Sequence, residues 1–554
     1  MANRVPFLCI SGIIFEVISH YAGNLMMRVL LLAILVTSRI SFGQEHQKRW
    51  EEIDIQHYKF HLELSDDSNK IIGNAEVKIR FKKSIDQVIL DLVSKTEMGG
   101  MLVSQVLING QKTIFEHTGI ELKIQLSKTA QINSEATFSI SYSGIPVDGL
   151  IISKNLFGNR TFFGDNWPDR AQNWLPVVDH PSDKATVEFL IIAPNHYQVI
   201  SNGIQIEETD LIDDLKFTHW RDDIELPTKE ITIGVSNFAV QLVEIVGGIP
   251  VYTWVYPENR VEGFYDFSIA PAILKYLIEK IGDYPYNKLA NVQSRTRFGG
   301  AENANTIFYN EKLISGTQES EFTVAHEIAH QWFGNSATEA NWHHAWLSEG
   351  FATYFENLWA QHTEREDIFR KKMIEDRVKV IEYSKIKLAP IVDTTVTDYM
   401  KTLNRNTYEK AAWVLHMLRD KIGDETFFRG ITQYYNKYKF SNVLTGDFMK
   451  VMEEVSGISL ESFFDQWFYK SGHPVISIAT TQKESMLVID IEQRQKNQAF
   501  EFPLELELEL ESGVKVLKKV LITHKKETFK FEIESKVIGV TLDPDMKLLF
   551  ESFN

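Results

Sequence analysis

"HEIAHQWFGN", His326 to Asn335, sets two histidines four residues apart with a glutamate directly after the first. On an α-helix, positions i and i+4 share a face, so both imidazoles can direct a ring nitrogen at one metal ion. A zinc site then needs a third protein ligand and an open position for water, and Glu349 can be that ligand. Eighteen residues lie between it and His330, room for a turn and entry into a second helix, "WLSEGFATYFE". Two imidazoles and one carboxylate make a catalytic rather than a structural site, with one Zn2+ per chain. Glu327 leaves that face and can reach the attacking water from the side, the position of a general base. The competing reading is a helix whose two histidines bind nothing. His343 and His344 lack the glutamate pairing and read as supporting or surface residues.

Two other stretches bear on the chemistry. "FGGAENANTIFYNE" is Gly-rich and strand-like and lies just upstream; such a strand can run along a cleft and offer backbone groups to an extended peptide. "NTYEKAAWVLHML" is expected to open a helix at Tyr408, whose phenol could donate to the oxyanion of a tetrahedral intermediate. Alone, each is equally a turn with a solvated Glu302 and a half-buried helix tyrosine.

Outward from this centre the chain reads as a multidomain α+β protein of 554 residues. Residues 44–248 alternate apolar and polar positions between Asp, Asn, Gly and Ser turns, as in "HYKFHLEL" and "ATFSISYSG", and predict an antiparallel β domain. Residues 249–472 carry long helical patterns and are mostly helical. Residues 473–554 return to strands and predict a small β-sandwich, with no helical domain after it. In "FEFPLELELELESG", Leu504, Leu506, Leu508 and Leu510 share one face, while Glu505, Glu507, Glu509 and Glu511 form a wet row on the other.

The acidic balance, a formal net charge of −17, disfavours nucleic acid and anionic lipid as partners, and no stretch reads as a membrane span of the mature chain. From Met27 the sequence "MRVLLLAILVTSRISFGQE" has a basic start, a short apolar core and small residues before about Gly43, the pattern of a cleaved secretory signal. Residues 1–26 are an upstream extension outside that pattern. The protein is therefore expected to be exported, to a periplasm or the exterior. Cys9 is the only cysteine and lies in the discarded segment, so disulfides and Cys-type zinc sites are excluded from the mature chain.

The ordered motifs "RAQNWLPVVDHPSDKATVEF", "GGAEN", "HEIAHQWFGN", "WLSEGFATYFE", "TYEKAA" and "FFDQWFYKSGHPVI" resemble the M1 family of zinc aminopeptidases, gluzincins of the aminopeptidase N and leukotriene A4 hydrolase type. The resemblance implies a thermolysin-like catalytic domain, His326, His330 and Glu349 as zinc ligands, Glu327 as general base and Tyr408 as oxyanion donor. It implies that Glu302 binds the free α-ammonium of a peptide, with Gly300, Ala301 and Asn303 lining the same strand. The substrates it implies are peptides with a free N-terminus. Departures are Ala301 where methionine is usual, Ala411 for glycine, and His343 and Ser348 for the aspartate and asparagine before the third ligand. A second amine-binding residue is expected near Trp167, with Asp165 or Asp169 as substitutes. An endopeptidase, an epoxide hydrolase on the same site and a catalytically silent peptide-binding homologue are the alternatives.

Overall fold

The computed structural model describes residues 49–553. The export signal and Cys9 lie outside the described residues.

The β-rich half is organised by one eight-stranded sheet. Its strands are β1 (Ile53–Glu63), β2 (Ile71–Phe81), β3 (Gly100–Ile108), β4 (Gln111–Lys112), β5 (Glu135–Ile145), β6 (Lys184–Pro194), β7 (Ile204–Asp210) and β8 (Leu215–Pro227), in the order β7-β8-β6-β1-β2-β5-β3-β4. Alternation does what the sequence pattern predicts: in β2, Ile71, Ala75, Val77, Ile79 and Phe81 face the core while Ile72, Lys78 and Arg80 face water. The expectation of a purely antiparallel sheet needs correcting at one place. β1 pairs with β6 in parallel, from His57 against Thr186 to Glu63 against Ile192. Hairpins impose opposite directions only on strands that are close in sequence, and more than a hundred residues separate these two, so direction is free to be set by core packing.

The catalytic half opens with a five-stranded sheet: β9 (Ala239–Val246), β10 (Ile249–Val255), β11 (Leu289–Ser294), β12 (Gly300–Ala301) and β13 (Thr306–Asn310), ordered β9-β10-β11-β13-β12. Against it pack α1 (Ala270–Ile281) and α2 (Glu321–His330); α3 (Trp346–His362) lies on α2, and α4 (Glu366–Ile386) and α5 (Ala411–Ile422) pack on α3. Tyr408 does not open α5 as expected. Residues Asn406–Lys410 form a π-helical turn ahead of it, in which the Lys410 N–H reaches back five residues to the Arg405 carbonyl. Side chains cause the widening: Thr407 Oγ1 donates to the Thr402 carbonyl and Asn406 Nδ2 to that of Ala389, pulling the chain off the α path.

Beyond the helices, Val475–Lys483, Met486–Gln493, Lys526–Glu532 and Glu551–Ser552 form one sheet, and Phe502–Leu510, Lys515–Ile522 and Val537–Leu542 form another. Leu504, Leu506, Leu508 and Leu510 are buried as their periodicity requires. The facing glutamates are not uniformly wet, because both Glu505 oxygens accept from Lys547 Nζ at 3.0 Å and that carboxylate is buried.

Buried lysines join the β-rich and catalytic halves. Lys288 Nζ donates to the carbonyls of Ser201 and Gly203 at 2.8 and 2.6 Å and to Asn305 Oδ1 at 2.6 Å. Lys184 Nζ donates to the carbonyls of Ser336 and Ser441 at 2.9 and 3.2 Å. Among the described residues no helix is long and apolar enough to cross a membrane.

Candidate metal centre

α2 begins after Ser320 and ends where Gly334, at φ +117°, turns the chain back; a Cβ there would collide with Ser348 Oγ. Over that length His326 and His330 lie one turn apart, with ring centroids 4.7 Å apart. α3 packs alongside and brings Glu349 to both: its Oε2 lies 3.5 Å from His326 Nε2 and 3.3 Å from His330 Nε2. All three donor atoms fall within 4.8 Å of one another. Four-coordinate zinc with bonds of about 2.05 Å separates its ligands by about 3.3 Å, so this donor set fits zinc by both chemistry and spacing.

The far side of each imidazole is also held. His326 Nδ1 donates to Glu356 Oε2 at 3.2 Å, and Glu356 Oε1 accepts from Lys372 Nζ at 2.7 Å. His330 Nδ1 faces the Phe333 carbonyl at 3.1 Å and Ser348 Oγ at 3.0 Å. These bonds leave each Nε2 as the free lone pair for a metal. Burial opposes charge on Glu349, but His330 and His326 outweigh it and hold its carboxyl well below the usual range. A ligand kept anionic needs no proton removed when a cation binds.

Glu327 is buried, and burial lifts its carboxyl to about 7, with His326 and His330 pulling it back. That value suits a group that must both accept and return a proton near neutrality. β12 lies flush against it, since a Cβ at Gly300 would overlap the Glu327 carboxylate. Among the described residues β12 pairs only with β13, Gly300 opposite Tyr309 and Ala301 opposite Phe308, so its outer edge has no strand partner there. Glu302 follows, and its Oε1 is shielded from solvent without a hydrogen bond among the described residues. Asn303 is buried and its amide turns back on the Ala301 carbonyl at 3.5 Å, which makes it a support of the strand's bend.

The π-turn stacks Tyr408 against His326, rings 9° from parallel and 6.0 Å apart. Burial and then Glu349 hold the phenol far above its ordinary pKa, which keeps it a proton donor. His343 and His344 stay outside the donor cluster, bonded to the Val396 carbonyl and to Thr445 Oγ1. Asp165 is already paired with Arg170 at 2.5 Å and Arg297 at 3.3 Å.

Sequence reasoning missed three residues that position this site. Gln331 Nε2 and Asn335 Nδ2 both donate to the Glu302 carbonyl, at 2.8 and 2.6 Å, and so tie the end of β12 to the zinc helix. The signal was in the tail of "HEIAHQWFGN", whose polar residues have no role in metal binding. Glu356 follows Glu349 by seven residues, two helical turns, which puts both on one face of α3.

Residues 265–467 match the peptidase family M1 domain, and residues 55–229 match the peptidase M1 N-terminal domain. The glutamyl aminopeptidase of Sus scrofa is 32% identical over 330 residues, 57% of this chain and 35% of that protein. Probable aminopeptidase 2 of Sulfurisphaera tokodaii is 24% identical over 455 residues, 79% of this chain and 56% of its own length. The chain thus spans well under half of the glutamyl aminopeptidases it matches, 35% and 42% for those of Sus scrofa and Bos taurus. Among solved structures, the M1 zinc metallopeptidase from Deinococcus radiodurans aligns with a TM-score of 0.65 at 23% identity, covering 76% of this chain and 95% of its own. Legionella pneumophila aminopeptidase A, in complex with aspartic acid, aligns with a TM-score of 0.78 at 18% identity, covering 91% of this chain and 60% of its own. At these identities the two structures establish the shared fold.

Proposed function

Because the chain belongs to peptidase family M1, we propose that it is a zinc aminopeptidase that hydrolyses the N-terminal peptide bond of peptides. The observation that carries this is the meeting of a His-His-Glu donor set, a buried glutamate beside it and an edge strand followed by a carboxylate whose Oε1 has no hydrogen bond among the described residues. Held by His326, His330 and Glu349, zinc supplies Lewis acidity that polarises a carbonyl and makes water a nucleophile near neutral pH.

The remaining work falls to the chain. An extended peptide lies along the free edge of Gly300–Ala301. Glu302 receives its α-ammonium, and a free N-terminus satisfies the carboxylate's shielded Oε1; an internal bond would leave that oxygen desolvated and unpaired. Glu327 takes a proton from the attacking water and delivers it to the leaving nitrogen. The Tyr408 hydroxyl donates to the carbonyl oxygen as negative charge gathers there. In this reading the domains are 44–248, 249–472 with a thermolysin-like catalytic core, and 473–554 as a β-sandwich. Residues 27–43 act as the export signal, supported by their basic start and apolar core, which places the mature enzyme in a periplasm or outside the cell.

The test is hydrolysis of free aminoacyl amides against their N-acetylated forms, before and after chelation and zinc return. The panel includes glutamate, since several relatives carry the name glutamyl aminopeptidase. Turnover of free amines alone, lost to the chelator and restored by zinc, is expected. Cleavage of blocked substrates would point instead to an endopeptidase.

A further inference from the structure

The stretch "DHPSDKATVEF", Asp179 to Phe189, has no part in the chemistry above, yet it carries a buried ammonium, Lys184, to the back of the site. Three of its residues reach from the β-rich half into the catalytic half. Lys184 Nζ donates to the Ser336 carbonyl at 2.9 Å and the Ser441 carbonyl at 3.2 Å, and lies 3.5 Å from that of Asn335. Ser182 Oγ donates to the Ala340 carbonyl at 2.5 Å, and the Pro181 carbonyl accepts from Asn442 Nδ2 at 2.8 Å. Among the described residues the hydrogen bonds of Lys184 Nζ go to main-chain carbonyls alone. A buried ammonium with neutral partners is costly, so its worth lies in what those carbonyls belong to.

Two of them belong to the turn that follows the zinc helix. Gly334, at φ +117°, takes the chain out of α2, and Asn335 stands immediately beyond it. The Asn335 N–H donates to the carbonyl of His330 at 3.1 Å, and Asn335 Nδ2 donates to the Glu302 carbonyl at 2.6 Å. One residue therefore bridges a metal ligand and the amine-binding carboxylate's own backbone. Asn335 Oδ1 accepts no hydrogen bond among the described residues, so a single bond directs the side chain and its aim depends on where the backbone is fixed. Gln331, the other donor to the Glu302 carbonyl, lies directly after α2 and is held separately, its Oε1 accepting from the Asn305 N–H at 2.7 Å. Asn335 is past the turn, where Thr338 Oγ1 holds its carbonyl at 2.8 Å from within and Lys184 clamps the Asn335–Ser336 backbone from the other half.

We propose that Lys184 is a positioning residue of the amine site: acting through Asn335, it sets the reach from His330 to Glu302, and so the span between the metal ligands and the carboxylate that receives the α-ammonium. This rests on the aminopeptidase reading and deepens it. A fixed span favours substrates whose amine stands one carbon from the scissile carbonyl and rejects those in which it stands two carbons away. A displacement of about 1 Å can cost on the order of a hundredfold where geometry is held this way.

The experiment measures binding of three hydroxamates to the zinc-loaded enzyme: alanyl, its isomer β-alanyl, and propionyl, which lacks the amine. All three present the same chelating group, so only the place of the amine differs. Wild type is expected to bind the alanyl probe at least about tenfold tighter than either of the others. Lys184→Met and Asn335→Ala are each expected to lower the alanyl-to-β-alanyl preference about fivefold, while the propionyl probe binds within about threefold of wild type. The double variant is expected to lose no more than about twofold beyond either single one, because both act along one path. Lys184→Gln keeps a donor for one carbonyl and is expected to fall between; it serves as well if the methionine variant folds poorly. A preference unchanged in the Lys184 variants, all three probes weakened equally, or losses that multiply in the double variant overturns the proposal and leaves the aminopeptidase reading intact. So does a wild type that prefers both amino probes to propionyl without separating them. A wild type indifferent to the amine overturns both.

Discussion

Removing the carboxylate behind His326 tests whether the metal is held by more than its ligands. Glu356 Oε2 accepts from His326 Nδ1 at 3.2 Å, and its other oxygen is fixed by Lys372 at 2.7 Å. Glu356→Gln preserves an acceptor but removes its charge. A hydrogen bond to a charged group contributes about 1.5–3 kcal/mol and a neutral one about 0.5–1.5, so the loss is about 1–1.5 kcal/mol, or roughly 5- to 12-fold in zinc affinity. Glu356→Ala removes the bond itself and frees the imidazole to rotate, for which about 10- to 100-fold is expected. Zinc affinity is read by competition with a chromophoric chelator, and kcat is measured at saturating zinc. The expected result is a graded series, wild type tighter than Gln tighter than Ala, with kcat of the loaded enzyme within about threefold. Equal zinc affinities across the series would refute the reasoning, and so would a collapse of kcat at full occupancy, which would move Glu356 from holding the ligand to the chemistry.

Other predictions concern the groups in the cleft and the C-terminal sheets. Glu327→Gln should retain zinc by metal analysis yet lose turnover by at least about a hundredfold, because the amide cannot accept the water's proton. Tyr408→Phe should lower kcat by about 10²–10³ with little change in KM, and an effect confined to KM would place the phenol in substrate binding instead. Leu506→Ala, at a fully buried position, should destabilise the protein by about 2–5 kcal/mol in denaturant unfolding, whereas Leu521→Ala, at 55% exposure, should stay within about 0.5 kcal/mol.

The parts of the site that could be read in the sequence are those written within one element. His326 and His330 are joined by a single helical turn, and Glu349 by a short excursion between two adjacent helices, so local periodicity suffices to bring the donors together. Strand alternation likewise gave the buried faces of β2 and of Phe502–Leu510. The rest arises between elements distant in the chain. The parallel join of β1 to β6 is invisible until both are folded onto one core. The π-turn escaped for a subtler reason: its apolar spacing is helical, and only the side-chain bonds of Thr407 and Asn406 to upstream carbonyls widen it.

The lysines at the junction bear on how the molecule is made. Lys288 and Lys184 are each anchored by carbonyls across the boundary, so neither half can complete its hydrogen bonding while the other is unfolded. Separated, each half would strand desolvated ammonium or carbonyl groups at an open face, a penalty that favours late and simultaneous closure of the junction. Assembly of the cleft is then a cooperative event rather than the docking of finished modules. The hydrogen bonds of the junction are complete only when both halves have folded.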